Sequence, residues 1–299
     1  MKRALAVVVC LLVAACGGTD ETADEAAPEP PARLLEDRGR VNDPAEPLAV
    51  RDVSFASRGG RVEGFLVLPP GRERLPAAVY VHGAGGDRSQ LLVPARWLAA
   101  RGAVALTITA PSSVEATPPG LTGVEALEWQ RELTERDVVA VRRAVDALAS
   151  RAEVDAERIG FVGWSAGART GALVAAVEPR IVAFVLMSGG AEPVSVYARG
   201  APAELRADVE RILGTVDPLR AIARARPGSL LLQNGRRDEV VPQRALRALV
   251  KAAAPARPDV RWYPVGHELD EAADRDHLAW LQRKLAVRGP PVPGAPTGP

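Results

Sequence analysis

Residues 158–177 have the sequence RIGFVGWSAGARTGALVAAV, and this stretch decides the fold. The apolar run at 158–162 predicts a buried strand, and the run from 166 onward predicts a helix. Between them, residues 163–167 form the pentapeptide Gly-Trp-Ser-Ala-Gly. A serine at such a turn has a strained backbone and an exposed hydroxyl, and glycines two positions away on either side prevent collisions with the neighbouring strand and helix. The pattern predicts Ser165 as a nucleophile at the edge of a sheet.

The body of the chain, residues 48–287, alternates short apolar runs with longer amphipathic ones. This alternation predicts one α/β domain, in which a doubly wound and mostly parallel eight-stranded sheet carries helices on both faces. Residues 191–226 are irregular and predict at most a small cap. The eight strands are expected at 50–57, 61–68, 77–81, 103–110, 158–162, 181–187, 229–233 and 260–264.

Composition excludes several classes of function. The 299-residue chain is 47% hydrophobic and 25% charged, with a formal net charge of +1. Its arginines are interspersed with acids and form no basic stripe, so we expect no nucleic-acid partner. Both cysteines, Cys10 and Cys16, lie near the N-terminus. The body is therefore expected to contain no disulfide, no thiolate metal site and no cysteine nucleophile.

The N-terminal residues predict an export signal. Two basic residues precede the apolar run 5–13, which is too short for a permanent membrane-spanning helix. Residues 12–16, Leu-Val-Ala-Ala-Cys, resemble a bacterial lipobox. The resemblance implies that residues 1–15 are a lipoprotein signal peptide and that Cys16 becomes the lipidated N-terminus, anchored to the cell envelope on its periplasmic or cell-surface face. The alternative is an ordinary secretory signal cut near residue 15, which leaves Cys16 as an odd thiol.

Two terminal segments are predicted to be disordered. Residues 16–47 are rich in Glu, Asp, Pro, Ala and Thr and almost lack large apolar residues. They cannot bury enough surface to offset the entropy lost on ordering, so we expect a flexible tether between a lipid anchor and the body. The Pro- and Gly-rich residues 288–299 are expected to form a disordered tail.

A second motif, VHGAGG at residues 81–86, follows an apolar strand. It resembles the His-Gly-Gly-Gly-type loop of esterases, whose backbone N–H groups bind the oxyanion of an acyl-transfer intermediate. We expect one N–H donor from Ala166, directly after the nucleophile, and a second from Ala84, with Gly83 or Gly85 as alternatives. His82 is expected to be a structural histidine bonded within the loop.

The base is expected on the loop after the last strand. The chain has three histidines, at positions 82, 267 and 277. His267 follows the strand predicted at 260–264, so it can reach a serine presented at the same sheet edge. His277 lies inside a helical run, where a packing role is expected. His267 is therefore the predicted base.

The acid is expected to follow the preceding strand. Residues 234–242, NGRRDEVVP, contain Asp238. This stretch resembles the Gly-x-x-Asp-x-x-Val-Pro loop of dienelactone hydrolases and prolyl-oligopeptidase-like hydrolases, which implies that Asp238 orients the histidine. Glu239 is the alternative if the loop register is shifted by one. Asp217 precedes a proline and is expected to be a helix cap or turn residue.

In their order along the chain, these motifs resemble the α/β-hydrolase superfamily, its dienelactone-hydrolase-like and esterase branches in particular. The resemblance implies an α/β-hydrolase fold and a serine hydrolase that cleaves small carboxylic esters through an acyl-enzyme, with Ser165, Asp238 and His267 as its catalytic triad. It implies neither a metal nor an organic cofactor. Dienelactone hydrolases proper usually carry a cysteine nucleophile, and the serine of this chain favours esterase chemistry.

Three points stay open at the level of sequence. A peptidase or acyltransferase of the same fold would use the same residues. A non-catalytic surface lipoprotein that only binds ligands is a less favoured alternative, because binding does not require Ser165, Asp238 and His267 together. Trp164 either lines the acyl pocket or packs under the loop. The natural ester, its chain length and the oligomeric state are not determined by the sequence.

Overall fold

The computed structural model describes residues 34–71, 74–288, 290–296 and 298–299. Within these ranges the chain forms a nine-stranded sheet with helices on both faces, the α/β-hydrolase arrangement that the sequence predicts. The predicted signal peptide, Cys16 and the first part of the predicted tether lie outside the described residues. No helix within the described ranges is long and apolar enough to cross a membrane.

The sheet contains all eight predicted strands and one more at its edge. Its strands are β1 (Leu34–Arg40), β2 (Ala49–Ser57), β3 (Gly60–Leu68), β4 (Leu75–Val81), β5 (Val104–Ile108), β6 (Val154–Trp164), β7 (Ile181–Met187), β8 (Leu230–Gly235) and β9 (Asp259–Tyr263). Their order across the sheet is β1-β2-β3-β5-β4-β6-β7-β8-β9. The first three strands pair antiparallel and β3 joins β5 antiparallel, whereas all pairs from β5 to β9 are parallel.

Helices cover the sheet in two layers. The α-helices are α1 (Leu92–Ala99), α2 (Pro111–Val114), α3 (Gly123–Ala149), α4 (Ala166–Val174), α5 (Val194–Gly200), α6 (Arg206–Leu213), α7 (Pro218–Ile222), α8 (Gln243–Ala252) and α9 (Glu271–Lys284). One face of the sheet packs against α3, α4, α7 and α8, and the other packs against α1 and α9. Helices α5 and α6 form a small cap, whose apolar residues pack against Leu127 of α3.

The first predicted boundary of the folded body is wrong. Residues 34–40 were expected in the tether, but they form β1 and pair antiparallel with β2. Backbone hydrogen bonds to β2 and ion pairs stabilise this strand: the Arg38 guanidinium donates to Asp52 Oδ1 at 2.5 Å and also pairs with Glu63. A pattern of apolar residues reveals neither interaction, so the sequence did not indicate a strand.

The predicted disorder of the C-terminal tail is also wrong for the residues that the structure describes. The N–H of Val292 donates to the carbonyl oxygen of Ala100 at 2.6 Å. The side chains of Val292 and Ala295 pack against the apolar cluster beneath α1 and α9. A few apolar contacts on an existing surface are sufficient to hold a short Pro-rich segment, because proline has already restricted its backbone.

The parallel strands determine where the chemistry-bearing loops meet. Strands β4 to β9 run in one direction, so their carboxyl ends lie along one edge of the sheet. The loops that follow β4, β6, β8 and β9 carry, in turn, the VHGAGG motif, Ser165, Asp238 and His267. In open α/β sheets, ligands bind at this edge.

A buried carboxylate joins α3 to α2 near the same edge. Asp137 is 8% exposed, and its two oxygens accept the backbone N–H of Ser112 at 3.0 Å and the Ser112 hydroxyl at 2.6 Å. Burial raises the pKa of Asp137 to about 6, because desolvation of the charged form outweighs these two hydrogen bonds. The folded protein therefore retains this proton at pH values where the unfolded chain has released it.

This proton produces a testable dependence of stability on pH. Between the unfolded pKa of 3.8 and the folded pKa of about 6, the contribution of Asp137 to stability is present at low pH and is lost as pH rises. Asp137→Asn removes the titration and keeps the shape. We expect the free energy of unfolding of the wild type to fall relative to that of the variant by roughly 2 kcal/mol between pH 4.5 and pH 7. Urea denaturation at both pH values measures this difference, and parallel pH curves would contradict it.

Candidate active site

Ser165 lies in a sharp turn between β6 and α4 with a strained backbone, at φ 54° and ψ −110°. A Cβ atom at Gly163 would collide with the backbone of Gly167, and one at Gly167 would collide with the carbonyl oxygens of Val81 and His82. Both positions of the pentapeptide therefore require glycine. The Ser165 N–H donates to the carbonyl oxygen of Met187 on β7 at 2.8 Å, which ties the turn to the sheet.

The structure brings Ser165, His267 and Asp238 into one hydrogen-bonded chain. His267 Nε2 lies 3.0 Å from Ser165 Oγ, and His267 Nδ1 lies 2.8 Å from Asp238 Oδ2. The side chain of Asp238 is fully buried and that of His267 is 11% exposed. A carboxylate accepts hydrogen bonds, so Nδ1 carries the proton and Nε2 is left to accept one from the serine.

The backbone of its own loop orients Asp238. Its Oδ1 accepts the N–H groups of Val240 and Val241, both at 2.9 Å, which leaves Oδ2 for the histidine. The loop also lies against the loop that carries His267: the N–H of Arg237 donates to the carbonyl oxygen of Val265 at 2.9 Å. The two loops approach so closely that a Cβ atom at Gly235 would collide with the carbonyl oxygen of Gly266.

Trp164 and Ser188 hold the backbone of the histidine. The carbonyl oxygen of His267 accepts the Ser188 hydroxyl at 2.8 Å and Trp164 Nε1 at 3.3 Å. The Trp164 ring also lies against the imidazole, with the ring centroids 5.1 Å apart. A Cβ atom at Gly83 would be 2.7 Å from the same indole. Trp164 thus lies between His267 and the glycine-rich loop. The contact of Ser188 with the histidine backbone was not predicted from the sequence.

Residues 82–86, here called the oxyanion loop after the esterase loop that they resemble, form a tight turn beside Ser165. The Gly86 N–H donates to the carbonyl oxygen of Gly83 at 3.1 Å, and Gly85 has a φ of 71° that favours glycine. The loop is joined to the Ser165 turn by the Gly167 N–H, which donates to the carbonyl oxygen of His82 at 3.0 Å. The N–H groups of Ala84 and Ala166 have no acceptor among the residues that the structure describes.

His82 uses both ring nitrogens within the protein. Its Nε2 accepts the backbone N–H of Ala110 at 2.9 Å, and its Nδ1 then donates to the carbonyl oxygen of Gly83 at 2.7 Å. Burial lowers the pKa of His82, which keeps the ring neutral. A histidine held in this way braces the loop and has no nitrogen left to take a proton from Ser165.

The remaining sequence alternatives lie apart from this chain of hydrogen bonds. His277 is buried within α9, where desolvation lowers its pKa to about 4. Asp217 caps α7 by accepting the Leu219 N–H at 2.8 Å. Glu239 is exposed, whereas its neighbour Asp238 is buried.

Comparison with known proteins gives the family. Residues 62–279 match the model of the Dienelactone hydrolase family, which is most of the described chain. The chain belongs to the dienelactone hydrolase family. The match begins in β3 and ends within α9, so it includes the oxyanion loop and the loops that carry Ser165, Asp238 and His267.

One curated relative of this dienelactone hydrolase family member is a protein of Nocardia uniformis subsp. tsuyamanensis named "Putative esterase NocK". It is 28% identical over 235 residues, which is 73% of this chain and 64% of the relative, so the chain spans less than two thirds of that protein.

Solved structures share the fold. An acetyl xylan esterase from Paenibacillus sp. R4 superposes with a TM-score of 0.68 at 21% identity, covering 86% of this chain and 90% of its own. Acetyl xylan esterase 1 from Thermoanaerobacterium sp. JW/SL YS485 has a TM-score of 0.65 at 20% identity, covering 87% and 89%. At such identities, the likeness establishes the fold alone.

Proposed function

We propose that this protein is a serine hydrolase that cleaves carboxylic esters of small substrates through an acyl-enzyme. The observation that carries the proposal is the continuous hydrogen-bonded chain from Ser165 through His267 to the buried Asp238, with separations of 3.0 and 2.8 Å. Nucleophile, base and orienting acid at these distances are the requirement for activating a serine. Membership of a hydrolase family supports the same reaction.

In the first half of the reaction, His267 Nε2 takes the proton of Ser165 as its Oγ attacks the ester carbonyl. The carbonyl oxygen becomes an oxyanion, which the free N–H groups of Ala166 and Ala84 stabilise. As the carbon–oxygen bond to the alcohol breaks, the alcohol leaves with the proton from His267. The Asp238 carboxylate keeps the imidazole in its tautomer and stabilises the imidazolium.

In the second half, water replaces the alcohol. His267 takes a proton from the water, whose oxygen attacks the acyl carbon, and Ser165 regains its proton as the acid leaves. Ser165 is partly exposed, so a small ester can reach its hydroxyl. Acetyl esters are the first substrates to test, because the structural neighbours named above are acetyl xylan esterases.

Substitution of the proposed triad tests the function. Purified wild-type protein is expected to release p-nitrophenol from p-nitrophenyl acetate, while an aminoacyl anilide stays intact. Ser165→Ala is expected to lower kcat by at least about 10⁴-fold, and Asp238→Asn by roughly 10³- to 10⁴-fold, because the asparagine favours the wrong histidine tautomer.

Asp217→Asn is the matched control, because this carboxylate caps α7 and pairs with the exposed Arg220, and an asparagine caps equally well. Its kcat should equal that of the wild type. If the wild type leaves the ester intact and hydrolyses the anilide, the protein is a peptidase and the esterase proposal is wrong. A folded wild type that a fluorophosphonate probe fails to label would favour a binding protein.

We also propose that Cys16 is lipidated and holds the enzyme on the cell envelope. The Leu-Val-Ala-Ala-Cys motif supports this proposal. Full-length protein expressed in a bacterial host should fractionate with membranes, and Cys16→Ser should release it into the soluble fraction, because the acyl chains supply the binding. Equal membrane fractions for the two proteins would contradict lipidation of Cys16.

A further inference from the structure

Gln90 lies outside every motif of the sequence, yet it contacts the centre of the oxyanion loop. Its side-chain oxygen Oε1 accepts the backbone N–H of Gly83 at 2.8 Å. Gly83 itself lies against the turn that carries Ser165, since a Cβ atom at Gly83 would be 3.4 Å from Ser165 Cβ. The Gln90 side chain thus holds Gly83, the residue that precedes Ala84 and lies against Ser165.

The amide of Gln90 occupies space that a glycine leaves open. A Cβ atom at Gly86 would lie 2.5 Å from Gln90 Oε1, 3.0 Å from its Cδ and 3.1 Å from His82 Nδ1. The amide of this exposed residue therefore lies against Gly83 and Gly86. Any residue other than glycine at position 86 would displace it, which gives this glycine a role that its motif alone does not explain.

The turn that presents Gln90 is itself fixed to the sheet. The Gln90 N–H donates to the carbonyl oxygen of Asp87 at 3.2 Å, and the Arg88 N–H donates to Thr109 Oγ1 at 3.1 Å. The Arg88 guanidinium lies 4.2 Å from the centre of the Phe65 ring, a cation–π contact with β3. The Gln90 side chain therefore reaches the loop from a rigid base.

The hydrogen bond determines which N–H groups of the loop stay free. Gly83 donates to Gln90, and Gly86 donates to the carbonyl oxygen of Gly83. Ala84 and Gly85 have no acceptor within the described ranges, and both are exposed. The alternative donor Gly83 is thus already occupied, which leaves Ala84 and Gly85 as donors from this loop.

We propose that Gln90 is a positioning residue for the ester hydrolysis proposed above, on which this inference rests. By engaging Gly83, its side-chain oxygen fixes the oxyanion loop with the N–H of Ala84 free for the oxyanion. Without this acceptor, the loop would relax and the donor would move away from the tetrahedral intermediate. A misplacement of about 1 Å in such a site costs on the order of 10²-fold in rate.

Gln90→Leu tests this role, because leucine keeps an apolar stem and cannot accept the Gly83 N–H. We expect kcat with p-nitrophenyl acetate to fall roughly 10- to 100-fold with little change in KM, since the oxyanion forms only in the transition state. The inhibition constant of a trifluoromethyl ketone, whose adduct with a serine carries an oxyanion, should rise by the same factor. The acid limb of the pH profile should stay where it is, because the triad is untouched.

Gln130→Leu is the matched control, since this glutamine is exposed on α3. The kcat of this variant should equal that of the wild type. Gln90→Asn, which is too short to reach Gly83, should reproduce the loss if the leucine variant does not fold. A folded Gln90 variant with unchanged kcat and ketone affinity would overturn the inference. So would a fall in kcat without any change in ketone affinity, the result expected of a merely structural residue. An inactive wild type would instead refute the proposed function itself.

Discussion

The backbone of Ser165 is the constraint on which the rest of the site depends. A serine at φ 54° and ψ −110° is in a conformation that costs of order 1–3 kcal/mol, and it persists only where its surroundings impose it. The N–H of Ser165 is held by β7 and that of Gly167 by the oxyanion loop. Glycines at 163 and 167 let strand, helix and loop approach closely enough for these bonds to form.

Other parts of the fold are arranged around that turn. The histidine and its acid come from neighbouring loops, which are joined backbone to backbone. Burial of Asp238 and its two N–H donors leave the carboxylate one free direction, toward His267. Trp164, the residue before Ser165, donates to the carbonyl oxygen of His267, so the position of this histidine is linked to the strained turn.

The sequence predicts the parts of this arrangement that rest on local pattern. Strands buried on both faces appear as apolar runs, and all eight predicted strands are present. Ser165, Asp238 and His267 could be singled out because each follows a predicted strand at the same edge. Strand β1 could not be predicted, because backbone pairing and ion pairs stabilise it. The packed C-terminal tail could not be predicted either, because it depends on a surface made by distant residues. Ser188 and Gln90 act through contacts to backbone groups 79 and 7 residues away, which no spacing rule reveals.

The chain has the fold of the dienelactone hydrolase family, and an acyl-enzyme on Ser165 is the intermediate that the proposed reaction requires. The most direct test is mass spectrometry of protein quenched in acid during turnover of p-nitrophenyl acetate, with Asp238→Asn included to slow the attack of water. One acetyl group is expected on the peptide that contains Ser165, and none in Ser165→Ala. Continued turnover with no acetylated Ser165 in the wild type or in Asp238→Asn would contradict the proposed acyl-enzyme. So would an acetyl group that forms and turns over on another residue.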